Sequence, residues 1–194
     1  MISNEITIIK YILKNKEKYL NINNIAKDLK IDYKNTYNIV KCLQKKGIII
    51  LETFGKSCKI TLIQQCKPLI YEAEWERKQE ILRNKNLKVV VETYERNIGS
   101  RFYVLLLFGS YAKGTNTKNS DIDLLFIVPN ECEEQAERNI QSIASLIPLK
   151  IHVNIFKEKD FIAMKNSKEQ TIGSEAIKNN IILHGIELYY RMIQ

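Results

Sequence analysis

Apolar residues in the first third of the chain recur at helical spacing, and those in the middle run in short blocks with strand character. Ile6, Ile9, Tyr11, Ile12 and Leu13 share a helical pattern, and Asn21 to Asn24 can cap a second helix over Ile25 to Lys30, where Ile25 and Leu29 are one turn apart. Asp32 supplies an N-cap for a third helix starting near Tyr33, with Tyr37, Val40 and Leu43 as its apolar face. Lys45, Lys46 and Gly47 provide a stop, because glycine takes a left-handed C-terminal position and lysines complement the helix dipole. Two strand-like runs, 48–53 and 58–63, flank a turn at Phe54-Gly55-Lys56 and predict a hairpin.

Pro68 then suits the first turn of a connecting helix with Ile70, Ala73, Arg77 and Ile81 along one stripe. After a polar break at Asn84-Lys85-Asn86, the residues Leu87, Val90, Val91, Tyr94 and Ile98 mark an amphipathic helix that ends near Gly99. A continuous apolar strand spans Tyr103 to Phe108 and a second follows Ser120. A helix over Glu131 to Ile147 and a third strand over Leu149 to Phe156 complete a β-α-β-α-β order. Helical patches at 158–165 and 170–179, a short apolar run at 181–183 and a helix from Ile186 close the chain. The expected class is α/β (α+β), divided into residues 1–66, a connecting helix at 67–86, and a second domain at 87–194.

The 194 residues suffice for two small cores, and 45% hydrophobic with 27% charged residues is ordinary for a globular protein. No run of about 18 apolar residues is present and the start lacks a secretory pattern, so a cytoplasmic protein without membrane contact is expected. Cys42, Cys58, Cys66 and Cys132 form no metal-ligand spacing and read as reduced thiols. Charge is unevenly placed. Residues 1–66 hold 12 Lys and 5 Asp or Glu, a net of +7 out of the total of +8. A basic small domain fits a polyanion partner, and a solvated lysine face is the other reading.

The segment Leu107-Phe-Gly-Ser-Tyr-Ala-Lys-Gly114, followed by Ser120-Asp-Ile-Asp-Leu-Leu-Phe-Ile-Val128, concentrates the candidate chemistry. Gly109-Ser110 allows a sharp turn with exposed backbone N–H groups after the first strand, where an anion can be held. Asp121 and Asp123 are two residues apart, so strand alternation directs both carboxylates to one face at about 7 Å, suited to divalent ions.

Gly109-Ser110, ten intervening residues and Asp121-x-Asp123 together resemble the minimal nucleotidyltransferases of the polymerase-beta-like superfamily. That resemblance implies Mg²⁺ held by Asp121 and Asp123, and a nucleoside triphosphate, ATP foremost, bound at Gly109, Ser110, Lys113 and Ser120. It also implies transfer of a nucleoside monophosphate to a protein or small-molecule hydroxyl. Such enzymes usually carry a third carboxylate on a neighbouring strand. Here Lys150 to Phe156 contains no acid, and its alternation leaves Asn154, or else His152, at that position. A catalytically weak, nucleotide-sensing regulator is therefore the alternative. Relatives of this type also act as antitoxins on a helical toxin-like partner protein.

Three helices and a hairpin in the first domain resemble a winged helix-turn-helix. This implies a double-stranded DNA partner read by Lys34, Asn35, Asn38 and Lys41, with Lys56 and Lys59 as wing contacts. The closing segment 175–189 resembles archaeal proteins that join such a domain to this nucleotidyltransferase fold. A homodimer reading two half-sites is expected by the same likeness.

Overall fold

The computed structural model describes residues 3–55, 57–99, 102–131, 134–166 and 171–194, and divides the chain into two units, 1–75 and 76–193. Lys56 and Cys132 lie outside the described residues. In the first unit, α1 (Asn4–Lys14), α2 (Ile22–Leu29) and α3 (Tyr33–Lys45) precede an antiparallel pair, β1 (Ile49–Phe54) and β2 (Ser57–Leu62). Each helix starts on a side-chain cap. Ser3, Asn21 and Asp32 accept from the backbone N–H of Ile6, Asn24 and Asn35 respectively, contacts worth about 1 kcal/mol each. Ile6, Ile9, Ile25, Val40, Leu43, Ile49 and Ile60 are buried in this unit.

The inward stripe of α3 differs by one position from the sequence expectation. Thr36, Val40 and Leu43 are buried, whereas Tyr37 is 41% exposed. Thr36 tolerates burial because its hydroxyl donates to the Asp32 carbonyl at 3.0 Å, so no polar group is orphaned.

A helix α4 (Pro68–Ile81) spans the division between the units. The second unit continues with α5 (Lys85–Asn97), β3 (Val104–Phe108), a five-residue α6 (Gly109–Lys113) and β4 (Ile122–Val128). It closes with α7 (Glu134–Ser145), β5 (Ile151–Lys157), α8 (Glu158–Asn166), α9 (Ile172–Lys178), β6 (Ile181–His184) and α10 (Ile186–Ile193). The sheet order is β5-β4-β3-β6, with β4 and β5 parallel and the other neighbours antiparallel. The short run 181–183 is thus part of a fourth strand, which pairs with β3.

Leu105, Leu107, Leu124 and Phe126 line one core with Leu87, Val91 and Tyr94 of α5 and Ile140 and Ile143 of α7. The Tyr94 ring lies 4.8 Å from that of Phe126, and its hydroxyl donates to the Ile140 carbonyl at 3.3 Å. Burial raises the Tyr94 phenol far above its ordinary value. At the other end of the unit Arg77 is buried and donates to the Asn180 carbonyl at 2.6 Å, while the Asn180 amide donates to the Ala176 carbonyl and to the Tyr189 hydroxyl. Among the described residues no helix is long and apolar enough to cross a membrane.

Gly185 joins β6 to α10 at φ +77°, and a Cβ there would lie 2.6 Å from the Tyr103 carbonyl oxygen. Gly185→Ala is expected to destabilise the protein by at least about 1–2 kcal/mol from the left-handed backbone alone. A chemical denaturation midpoint equal to that of the parent would contradict this packing.

Candidate active site

The end of β3 and the start of β4 define the site. Phe108 is paired with Asp123 across the antiparallel ladder, so the turn after Phe108 is delivered beside the acidic residues. Gly109 makes that turn at φ +66°, and a Cβ on it would meet the Asp123 Oδ2 at 2.1 Å. Only glycine suits this position, first for its left-handed backbone and second because no side-chain atom fits against the carboxylate. Ser110 follows in α6, whose start has no side-chain cap.

Asp121 falls one residue before β4, and Asp123 lies within it. Ser120 has its hydroxyl engaged locally: it accepts from the Thr117 backbone N–H at 2.8 Å and lies 3.3 Å from the Thr117 hydroxyl. Ser120 therefore shapes the loop that delivers Asp121. The Oδ1 of Asp121 is buried without a hydrogen-bond partner among the described residues.

On β5 the parallel register sets His152 beside Asp123 and Asn154 beside Leu125, two positions further along the sheet. The His152 Nε2 stands 3.5 Å from the Asp121 Oδ2, and its Nδ1 stands 3.5 Å from the Asp123 Oδ1. Of the two candidates for the third position, His152 is the one that bridges the acids. Burial raises the Asp123 carboxyl above its ordinary value; His152 opposes that shift, and the negative charges of Asp121 and Glu175 add to it. No group of three or more His, Cys, Asp or Glu side chains among the described residues is arranged to hold a metal ion. The protein offers two carboxylates, the number with which Mg²⁺ is commonly held when phosphate and water fill its other positions.

Lys113 ends α6 and forms an ion pair with Glu175 of α9 at 2.8 Å. Glu175 carries no signal in the sequence, because it is brought to the site from 62 residues away. In the first unit, Lys34, Asn35 and Asn38 are exposed along the outer face of α3. Lys41 lies 5.8 Å from the Tyr37 ring centroid and 3.4 Å from the Gln44 Oε1, and Lys59 pairs with Glu52 at 3.8 Å across the hairpin.

Residues 95–179 match the family model of the nucleotidyltransferase domain. The matched range contains Gly109, Ser110, Lys113, Asp121, Asp123, His152 and Glu175. No curated protein matches the chain. A solved crystal structure of a toxin-antitoxin with AMP-PNP shares 22% identity over 54% of this chain and 81% of that one, with a TM-score of 0.36. A superposition that loose has no bearing on what this chain does.

Gly109→Ala is expected to lower stability by on the order of 1–2 kcal/mol through its backbone. Adding Asp123→Ala should recover part of the loss, since the carboxylate that the new methyl meets is then gone. Additive losses in denaturant titrations would show that the two residues do not press on one another.

Proposed function

We propose that the second unit binds a nucleoside triphosphate, ATP foremost, with a divalent ion, and transfers its nucleoside monophosphate to a hydroxyl of a protein or small molecule. The observation that carries this reading is the contact of Gly109 with Asp123, which sets a side-chain-free backbone turn against a pair of carboxylates. A triphosphate at that turn lies within reach of Ser110 and of the backbone N–H groups of the first turn of α6. Mg²⁺ fits Asp121 and Asp123, because the buried Asp121 Oδ1 has no donor among the described residues and a cation would satisfy it. Bound there, it would neutralise charge on the phosphates.

Positioning and electrostatics account for most of the catalysis of phosphoryl transfer, so the residues that hold the triphosphate matter more than a covalent participant. The acceptor oxygen bonds to the α-phosphorus, the bond to the β-phosphate oxygen breaks, and pyrophosphate leaves with that electron pair. The acceptor proton must go to a base. With no carboxylate on β5, His152 takes that role, since its imidazole accepts a proton and the amide of Asn154 does not. Pairing Asp121→Asn with Asp123→Asn is expected to abolish divalent-dependent nucleotide binding while leaving the circular dichroism spectrum unchanged. Undiminished affinity in calorimetry would remove Asp121 and Asp123 from the site. Binding by the parent without pyrophosphate release, when acceptors are supplied, would make the domain a nucleotide sensor.

A second activity rests on a separate observation: Lys34, Asn35 and Asn38 project from α3 within residues 1–66, which carry a net +7 of the chain's +8. We infer that residues 1–66 act as a winged helix whose α3 enters the major groove of duplex DNA, asparagines meeting base edges and lysines the phosphates. A homodimer would present two such helices to two half-sites. Lys34→Ala should weaken DNA binding and reduce the slope of log affinity against log salt by about 1. An unchanged slope would exclude Lys34 from phosphate contact.

A further inference from the structure

The site holds one cation already paired within it. Lys113 stands four residues after Gly109 on α6 and its Nζ is 2.8 Å from the Glu175 Oε1, with side-chain exposures of 41% and 49%. Among other described exposed pairs, Lys88 with Glu92, Arg138 with Glu134 and Arg191 with Glu187 link one turn of a single helix to the next, while Lys59 with Glu52 and Lys46 with Glu5 join elements of the first unit. The Lys113 pair joins α6 to α9 on the element that begins at Gly109, beside the acidic pair. The charge of Glu175 acts on Asp123, so the carboxylate belongs to the electrostatic surroundings of the acidic pair.

We propose that Glu175 stands in for a phosphate oxygen, holding Lys113 in the free protein until a bound triphosphate takes the lysine from it. This rests on reading the cleft of Gly109, Asp121 and Asp123 as a nucleotide site. An ammonium group on a flexible four-carbon stem exchanges partners without rearranging the backbone. An exposed pair such as this is weak enough to be exchanged, since it alters an equilibrium by no more than about fivefold. A triphosphate brings several negative charges where Glu175 brings one. Adenosine brings none and leaves the pair intact. Glu175 is in these terms a selectivity residue: it neutralises Lys113 against weakly charged ligands and repels any polyanion that does not recruit the lysine.

The test is calorimetric titration of the full chain with ATP and with adenosine, in Mg²⁺ buffer, for the parent, Glu175→Gln, Lys113→Met and the double variant. Glu175→Gln should tighten ATP by about two- to fivefold and leave adenosine unchanged, and Lys113→Met should weaken ATP by a similar factor. In the Lys113→Met background, Glu175→Gln should give a smaller gain, because no pair remains to be exchanged. An equal gain in both backgrounds would reduce Glu175 to a general negative charge and overturn the exchange. Weaker ATP binding by Glu175→Gln would overturn it as well, making the carboxylate a required part of the site. A parent that binds ATP while Glu175→Gln behaves identically defeats this inference alone, whereas a parent that binds no nucleotide defeats the nucleotide site with it.

Discussion

The contact between the backbone at Gly109 and the carboxylate of Asp123 is the constraint on which the arrangement of the candidate site depends. A residue with a side chain at 109 would meet Asp123 at 2.1 Å, and the left-handed turn at φ +66° disfavours one independently. The contact exists because β3 and β4 are antiparallel neighbours in a register that sets Phe108 against Asp123. That register is held in turn by the buried leucines of β3, the apolar run of β4 and the cover of α5 and α7. A one-residue slip would send every side chain of a strand to its opposite face, so packing of the core and placement of the acids are one requirement.

Charge is the second constraint on the candidate site. Asp121, Asp123 and Glu175 act in one region, and Asp123 is partly withdrawn from water, which disfavours its ionised form. Lys113 meets Glu175, His152 lies 3.5 Å from each aspartate, and the Asp121 Oδ1 is buried without a donor among the described residues. A surplus of negative charge with an unsatisfied oxygen is unfavourable in the free protein. It is the environment in which a cation gains most. Lys113 and His152 are the protein's own partial answers to the same imbalance.

Much of this arrangement was legible in the sequence where it depends on local spacing. Asp32 capping α3, Pro68 opening α4 and Gly109-Ser110 after an apolar strand are signals carried within a few residues. Signals that depend on pairing were not. Alternation puts His152 and Asn154 on the same face of β5, and only the parallel register with β4 decides which of them lies beside Asp123. The strand identity of residues 181–184 is likewise fixed by β3, since three apolar residues and a histidine fit a helix end equally well. Helical spacing puts Tyr37 on the apolar face with Val40 and Leu43, yet Thr36 completes the buried stripe with its hydroxyl satisfied by Asp32. Glu175 had no local signal at all.

The most direct measurement is calorimetric titration of the unaltered protein with each nucleoside triphosphate, with and without Mg²⁺, and assay of the same samples for pyrophosphate. A nucleotidyltransferase centre built on Gly109, Asp121 and Asp123 predicts saturable binding that strengthens with Mg²⁺, and pyrophosphate release once a hydroxyl acceptor is supplied. Absence of binding by every triphosphate, in a protein shown to be folded, would contradict that centre and leave the fold as a scaffold for the basic first unit.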